Sequence, residues 1–215
     1  FNYKNTYFEL LAATGTGIGA DLVNQSIKDN GEGLAGLVLG TKDMNLFREN
    51  ITNNGYFLSE ISAGEGINEQ NEHREWLLQF LPHELTRGLF SFVVEHKSGA
   101  LPLLERNKSA IKKLEQVVIK TNDADGFIQI YRDIFGIRLA LDKFVEAWKK
   151  RILFFRLNKT TIEVIEEIND IVSPTDSLWG LAWGVSDINL AKERLEENNI
   201  ETVSYTHLRA HETDS

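Results

Sequence analysis

Apolar and polar positions repeat in one order three times along the chain: a short apolar run, an acidic residue, and a segment with helical spacing. The apolar runs are GLAGLVLGTKD, LEQVVIKTND and LWGLAWGVSD, which end at Asp43, Asp123 and Asp187. In the segments that follow, apolar residues recur at i, i+3 and i+4, the spacing of one helix face. A carboxylate just before a helix accepts hydrogen bonds from its first free N–H groups. The pattern therefore predicts three strand–helix units, and Gly55 and Gly136 indicate where two of the helices end.

A second pattern places one glutamate in each of three strand-like runs. The runs are NTYFELLAA, LFSFVVEHK and TTIEVIEEI, and they carry Glu9, Glu95 and Glu163. His96, next to Glu95, is expected to point to the opposite face of its strand. The two patterns alternate, and further strand-like runs lie between them: YFLSEISA and REWLLQFL, then RLALDKFV and RILFFRL. Each repeat is therefore predicted to run strand, helix and three strands, a βαβββ module of the α+β class.

The amino-acid composition limits the classes of molecule that the chain is expected to bind. The chain has 215 residues, a formal net charge of −9 and no cysteine. An acidic chain lacks the basic surface that nucleic acid or an anionic membrane binds, so neither is expected as a partner. Without cysteine there are no disulfides, thiolate metal sites or cysteine nucleophiles, which fits a reducing compartment. We therefore expect a cytoplasmic protein that handles a small molecule, since no apolar run approaches the roughly 20 residues of a membrane span.

The two ends of the sequence carry features unlike the rest. Phe1 stands almost directly before a strand-like run, and no charged leader or apolar signal segment follows it. Residues 202–213 read TVSYTHLRAHET, which resembles a translated transposon-type sequencing adapter. We therefore expect both natural ends of the protein to lie outside this sequence, and residues 202–215 to take no part in the site.

The repeated modules resemble the glyoxalase-like, or vicinal oxygen chelate, superfamily, and in particular its four-module bacterial proteins. The resemblance covers residues 1–201 and is carried by FELLA, LEQVVIKTNDADGFIQIYRDIFGIRLAL, RILFFRLNKTTIEVIEE and LWGLAWGVSDINLAKERLEENNIE. It implies that modules pair and curl their sheets into cups. It also implies an N-terminal domain over 1–97 with a truncated first module, a linker over 98–113, and a C-terminal domain over 114–201 with a truncated second module.

The resemblance also implies positions for metal ligands and catalytic groups. In the superfamily a divalent metal (Zn, Ni, Fe, Mn or Mg) sits in each cup, held by side chains of the first and last strand of each module. The last-strand position falls on Glu9, Glu95 and Glu163, which are also the candidate catalytic residues. The first-strand position, seven residues before each junction aspartate, falls on Gly36, Gln116 and Gly180.

These positions predict how the candidate residues should group. Glu9 and Glu95 are expected in one cup, close enough to raise the pKa of at least one of them. Gln116 and Glu163 are expected in the other cup, while Gly36 and Gly180 leave room for a ligand. Because a glycine supplies no side chain, we expect no complete metal site within this sequence.

Several functions stay open. One is a metal-dependent lyase, isomerase or dioxygenase; another is a metal-free cup that binds a small molecule, as resistance proteins do; a third is an enzyme that uses one glutamate as a base. A remote fourth interpretation is nucleotide binding by TGTGIGA, where Gly15, Gly17 and Gly19 precede a helical segment, although the spacing GxGxG departs from GxGxxG. The resemblance also allows a homodimer.

Overall fold

The computed structural model describes residues 2–3, 5–68, 71–100, 110–167 and 175–204. Five helices lie in these ranges: α1 (Ile18–Asn30), α2 (Met44–Asn53), α3 (His83–Thr86), α4 (Ala124–Ile128, continued by a π-helical segment Gln129–Ile134) and α5 (Ile188–Glu197). The strands of these ranges are β1 (Val38–Gly40), β2 (Ser62–Ile67), β3 (His73–Phe80), β4 (Phe92–Ser98), β5 (Ile111–Thr121), β6 (Arg138–Val145), β7 (Lys150–Leu157), β8 (Thr160–Glu166) and β9 (Asp176–Val185).

The strands form two mixed sheets with the same internal order. The first sheet runs β1-β4-β3-β2, and the second runs β6-β7-β8-β5-β9. In each sheet the first strand of the module is parallel to the last, while the other pairs are antiparallel. β9 pairs antiparallel with β5 and leads into α5, so it begins a further copy of the pattern. The predicted α+β fold of repeated βαβββ modules is confirmed.

The three junction aspartates begin their helices as predicted. The side chain of Asp43 accepts from Leu46 N at 3.0 Å, and that of Asp123 accepts from Gly126 N at 2.9 Å. Asp187 accepts from the N–H groups of both Asn189 and Leu190. Gly55 and Gly136, two residues after the ends of α2 and of the π-helical segment, have φ of 86° and 69°, a conformation that glycine adopts without strain.

One cluster of buried apolar residues covers the helix-bearing faces of both sheets. In the second module, Phe127 stacks on Tyr131 with centroids 3.9 Å apart and contacts Phe155 of β7 at 5.5 Å. α2 reaches the second module through Asn50, whose Nδ2 donates to the carbonyl of Ile134 at 2.7 Å. The apolar faces of the helices therefore pack into one core that both modules share.

Arg87 joins the two modules through a buried network. Only 4% of its surface is exposed, and its guanidinium donates to both carboxylate oxygens of Asp176, at 2.9 and 3.2 Å. It also donates to Asp123 Oδ2 at 3.0 Å and to Thr121 Oγ1 at 3.0 Å. The same arginine thus holds the N-cap of α4 and the first residue of β9 against α3.

Two sequence-based expectations need correction or fall outside the described ranges. The predicted strand around Glu9 is wrong, because residues 8–14 are not in a strand and Tyr7 forms only an isolated bridge with Asn2. Residues 101–109 of the predicted linker and 205–215 of the adapter-like tail lie outside the described residues. Among the helices described above, none combines the length and apolar character needed to cross a membrane.

Candidate functional site

The two faces of the first sheet are distinguished by their contacts with α2. Gln79 and Glu95 point toward the helix, since they bond to Arg48 and to Met44 N respectively. Side chains alternate along a strand, so Phe80, Phe92, Val94 and His96 point the other way. We call this second face the cup face of the first sheet, because it lines the cavities described below.

A cavity of about 560 Å³ lies between the cup face and α1. We call it the first cavity, and its walls include Val38, Phe90 and Phe92 from the sheet side and Val23, Ile27 and Leu34 from α1 and the segment after it. Several apolar side chains that line it remain open to solvent: Leu10 is 76% exposed, and Leu11, Ile27 and Leu34 are exposed as well. Its size falls in the usual range for small-molecule sites, roughly 300–1,000 Å³.

Glu9 lines the first cavity, although not from a strand as predicted. Its side chain is exposed, and its charge reaches two neighbours, Tyr7 and His96. Burial raises the pKa of Tyr7 to about 12, and the negative charge of Glu9 adds to that rise. Burial also lowers the pKa of the His96 imidazole, so the neutral ring is favoured.

Gly36 also lines this cavity but does not leave room in it. A Cβ added to Gly36 would lie 1.5 Å from the carbonyl oxygen of Phe90. The glycine is therefore needed for close packing against the backbone before β4, and the expectation that it opens space for a ligand is wrong.

Glu95 does not share a cup with Glu9. The residue is buried, and its carboxylate accepts from Met44 N at 2.9 Å and from Lys97 Nζ at 2.7 Å. The hydrogen bond from Lys97 and the N–H of Met44 lower the pKa of Glu95. The orientation predicted for Glu95 is therefore wrong: Glu95 accepts at the start of α2, and His96 points to the cup face.

The second module explains this error. Glu166 accepts from Ala124 N at 3.0 Å, the first residue of α4, as Glu95 accepts from the first residue of α2. Glu95 therefore corresponds structurally to Glu166, and the residue that corresponds to Glu163 is Phe92. The sequence pattern assigns these two glutamates to one repeat position because their neighbours are similar, although the structure places them differently.

Gln116 and Glu163 share one face of the second sheet, as expected. Glu163 pairs in register with Val118 and Phe154, and Gln116 lies two residues from Val118 on β5. Paired residues point to the same side, away from the face on which Phe155 contacts α4. Gly180 pairs with Val118, and a Cβ added to it would meet nothing within 4 Å. Gly180 thus leaves open space two strands away from Glu163, on the other side of Val118.

Glu163 is half-buried, and burial raises the pKa of its carboxyl. Its register partners Phe154 and Val118 are apolar and themselves almost fully buried. A carboxyl in such surroundings is more readily protonated than an ordinary glutamate.

The residues at the predicted ligand positions do not fit a divalent metal. Of the predicted positions on the second sheet, Gln116 and Glu163 offer side-chain oxygens and Gly180 offers none, while catalytic zinc sites use about three protein ligands. Within the described ranges, no group of three or more His, Asp or Glu side chains could hold a metal ion.

The glycine loop has the form of a helix start. Gly17 is the N-cap of α1, with φ of 115° and no side-chain cap, and the helical segment predicted after the glycines is confirmed as α1. The residues before the loop are not in a strand, so the strand–loop–helix unit of a dinucleotide site is missing there.

Sequence reasoning missed the aromatic and aliphatic walls of the first cavity. Phe90 and Phe92 alternate around Ser91, which could have marked a buried strand face. The contribution of Ile27 carried no local signal, because it depends on α1 packing over the cup face.

Comparison with known families gives two matches. The model described as "Glyoxalase-like domain" matches residues 1–135, more than half of the chain. The model described as "Glyoxalase/Bleomycin resistance protein/Dioxygenase superfamily" matches residues 115–214. No curated protein matches the chain.

Solved structures with similar folds share little sequence with the chain. Methylmalonyl-CoA epimerase from Mycobacterium tuberculosis is 21% identical, with a TM-score of 0.39, over 48% of this chain and 74% of that one. A hypothetical protein from Staphylococcus aureus is 12% identical, with a TM-score of 0.48, over 71% of this chain and 59% of that one. Methylmalonyl-CoA epimerase from Streptomyces coelicolor, solved in complex with 2-nitronate-propionyl-CoA, is 11% identical, with a TM-score of 0.35, over 43% of this chain and 75% of that one.

Proposed function

Because the chain belongs to the family of the glyoxalase-like domain, we propose that it binds a small molecule in the first cavity without a metal. The observation that carries the proposal is the apolar lining that stays open to solvent, with Leu10, Leu11 and Ile27 all exposed at one cavity. Contiguous exposed apolar surface of this kind is typical of a binding site.

The lining also indicates the chemistry of the ligand. Phe90 and Phe92 offer flat apolar walls, which suit an aromatic or aliphatic body. Glu9 and Glu32 lie in the same lining and supply acceptors for a donor group on the ligand. We therefore expect an apolar molecule that is neutral or carries a donor, rather than an anion.

A neutral fluorescent probe, N-phenyl-1-naphthylamine, tests the proposal. Ile27→Trp places a larger side chain in the cavity from α1, and it should weaken probe binding by about tenfold or more in a fluorescence titration. Lys28→Trp, at the next position of the same helix but outside the cavity lining, is the matched control and should leave the dissociation constant unchanged.

The probe affinities of the two variants are compared once thermal denaturation has shown that both variants are equally stable. Equal probe affinity of the Ile27→Trp variant and the unmodified chain would contradict binding in the first cavity. Equal loss in both variants would show instead that the probe binds on the outer surface of α1.

A second candidate function is proton transfer by Glu163. It is supported by the raised pKa of this half-buried carboxyl and by the open space at Gly180, which lies two strands away across Val118. A ¹³C NMR titration of the Glu163 carboxyl tests the environment that such a role needs. A pKa at the ordinary glutamate value of about 4.3 would contradict it.

A further inference from the structure

A second cavity, of about 630 Å³, lies at the other end of the cup face of the first sheet. We call it the second cavity. It is bounded by Val94 and His96 of β4, by the N-terminal segment with residues 2, 3 and 5–7, and by the end of the second sheet near Asn158 and Thr160. The segment is anchored there by Asn5, whose Nδ2 donates to Leu114 O at 2.9 Å and to Thr160 Oγ1 at 2.7 Å. The cavity thus has walls from three parts of the chain.

The charge of this cavity is opposite to that of the whole chain. Lys42 and Arg74 line it, and among the described lining residues there is no carboxylate, although the chain has a net charge of −9. Glu9, whose charge reaches Tyr7 and His96, lines the first cavity and not this one. The second cavity is therefore a local cationic site in an acidic protein.

Arg74 is held in place but not neutralised. Its guanidinium lies over the ring of Trp76, 5.5 Å from the centroid. Its Nε is buried without a hydrogen-bond partner, and neither Arg74 nor Lys42 forms an ion pair with any of the residues that the structure describes. A buried donor left unsatisfied costs free energy that an anionic acceptor recovers.

The rest of the lining is aromatic and aliphatic. Tyr7 contacts His96 edge to face, with centroids 5.8 Å apart, and the apolar walls include Val94, Leu114 and Ile162. We propose that the second cavity binds a small organic anion, whose apolar body lies against these walls and whose carboxylate pairs with Arg74 and Lys42. This ligand differs in charge from the one proposed for the first cavity, so the two sites are separable.

Two probes of equal shape test this inference on the full chain: 2-naphthoate, which carries a carboxylate, and 2-naphthamide, which is neutral. By calorimetry, Arg74→Met and Lys42→Met should each weaken 2-naphthoate binding by about tenfold, because each removes a charge-assisted contact. Neither variant should change the weaker binding of 2-naphthamide. Lys28→Met removes the same charge from α1 and should leave both probes unaffected.

Lys42 is exposed, so its variant folds even where the Arg74 variant does not, and it alone can decide the result. Equal affinity of the unmodified chain for the two probes would overturn the inference, as would 2-naphthoate binding that survives Lys42→Met. Loss of 2-naphthoate binding in the Ile27→Trp variant would also overturn it, because the anion would then occupy the first cavity. A failure of N-phenyl-1-naphthylamine binding alone would count only against the first cavity.

Discussion

Glu95 and Glu163 occur in similar apolar runs, yet their environments are opposite. Glu95 accepts hydrogen bonds from Lys97 and from the backbone of Met44, and these contacts lower the pKa of its carboxyl. Glu163 lies among apolar neighbours, and burial raises the pKa of its carboxyl. Hydrogen bonding to the charged form and loss of solvent around it act in opposite directions.

This contrast predicts opposite pH dependences for two amide variants. The folded-state pKa of Glu163 is raised, so its contribution to stability is present at low pH and is lost as pH rises through that pKa. At pH 7 the Glu163→Gln variant should therefore have a larger free energy of unfolding than the unmodified chain. The difference should close as pH falls toward about 4, where the unfolded glutamate also takes up its proton.

Glu95→Gln is the matched comparison, measured by the same urea denaturation series. Its folded-state pKa is lowered, so the variant should be less stable at pH 7, and the deficit should shrink as pH falls through that pKa. Glu163→Gln behaving like Glu95→Gln at pH 7 would contradict the assignment of Glu163 to an apolar environment.

At the scale of elements, the aspartate before each helix predicted the helix starts. Asp43 begins α2, and its side chain accepts from Leu46 N at 3.0 Å. The strand predicted around Glu9 failed for a different reason. Its apolar and aromatic residues suit a strand, but an extended segment becomes a strand only where a neighbour offers a hydrogen-bonding edge. These residues line the first cavity beside α1 instead.

Removing the Asp43 side chain that caps α2 should measurably change the free energy of unfolding. Asp43→Ala should lower the free energy of unfolding by about 1 kcal/mol, because Leu46 N loses its acceptor at the helix start. Asp43→Asn keeps an oxygen acceptor and should restore most of that loss. Glu49→Ala, an exposed position within the same helix, is the control and should cost nothing. A loss as large in Glu49→Ala would mean that the capping contact is not the cause.

At the scale of the whole molecule, one buried arginine connects the modules. Arg87 belongs to the first module, while its partners Asp123 and Asp176 belong to the second module and to β9. Asp176 has 3% of its surface exposed, so its carboxylate depends on this partner.

Arg87→Met should lower the free energy of unfolding by about 3–5 kcal/mol, because Asp176 would be left as a buried unpaired charge. Arg151→Met is the comparison: Arg151 also pairs with two carboxylates, Asp125 and Asp142, but at the surface, and should cost about 1 kcal/mol or less. The double variant Arg87→Met with Asp176→Leu should recover much of the loss. No recovery in thermal denaturation would contradict the role assigned to the unpaired carboxylate.

The candidate site was predictable only in part. The face shared by Gln116 and Glu163 followed from alternation along two strands in parallel register, which a repeat alignment of that module captures. The sequence matched Glu95 with Glu163 instead of with Glu166, because an apolar run has a similar pattern when it is shifted by three residues. The cationic lining by Lys42 and Arg74 had no sequence signal, because the two residues lie far apart along the chain.

The sequence by itself determined the order of elements, since helical and strand periods and the aspartate caps are local properties of short segments. It determined the βαβββ modules because those local signals repeat. Only the tertiary structure decided that Glu95 points to the start of α2, while Glu163 points away from the helix that packs on its sheet. A shift of one residue in register moves every side chain of a strand to the opposite face. It also decided where the two cavities lie, because their walls come from α1, from residues 2, 3 and 5–7, and from strands distant in sequence. Contacts of that kind depend on how elements pack, and no local pattern specifies them.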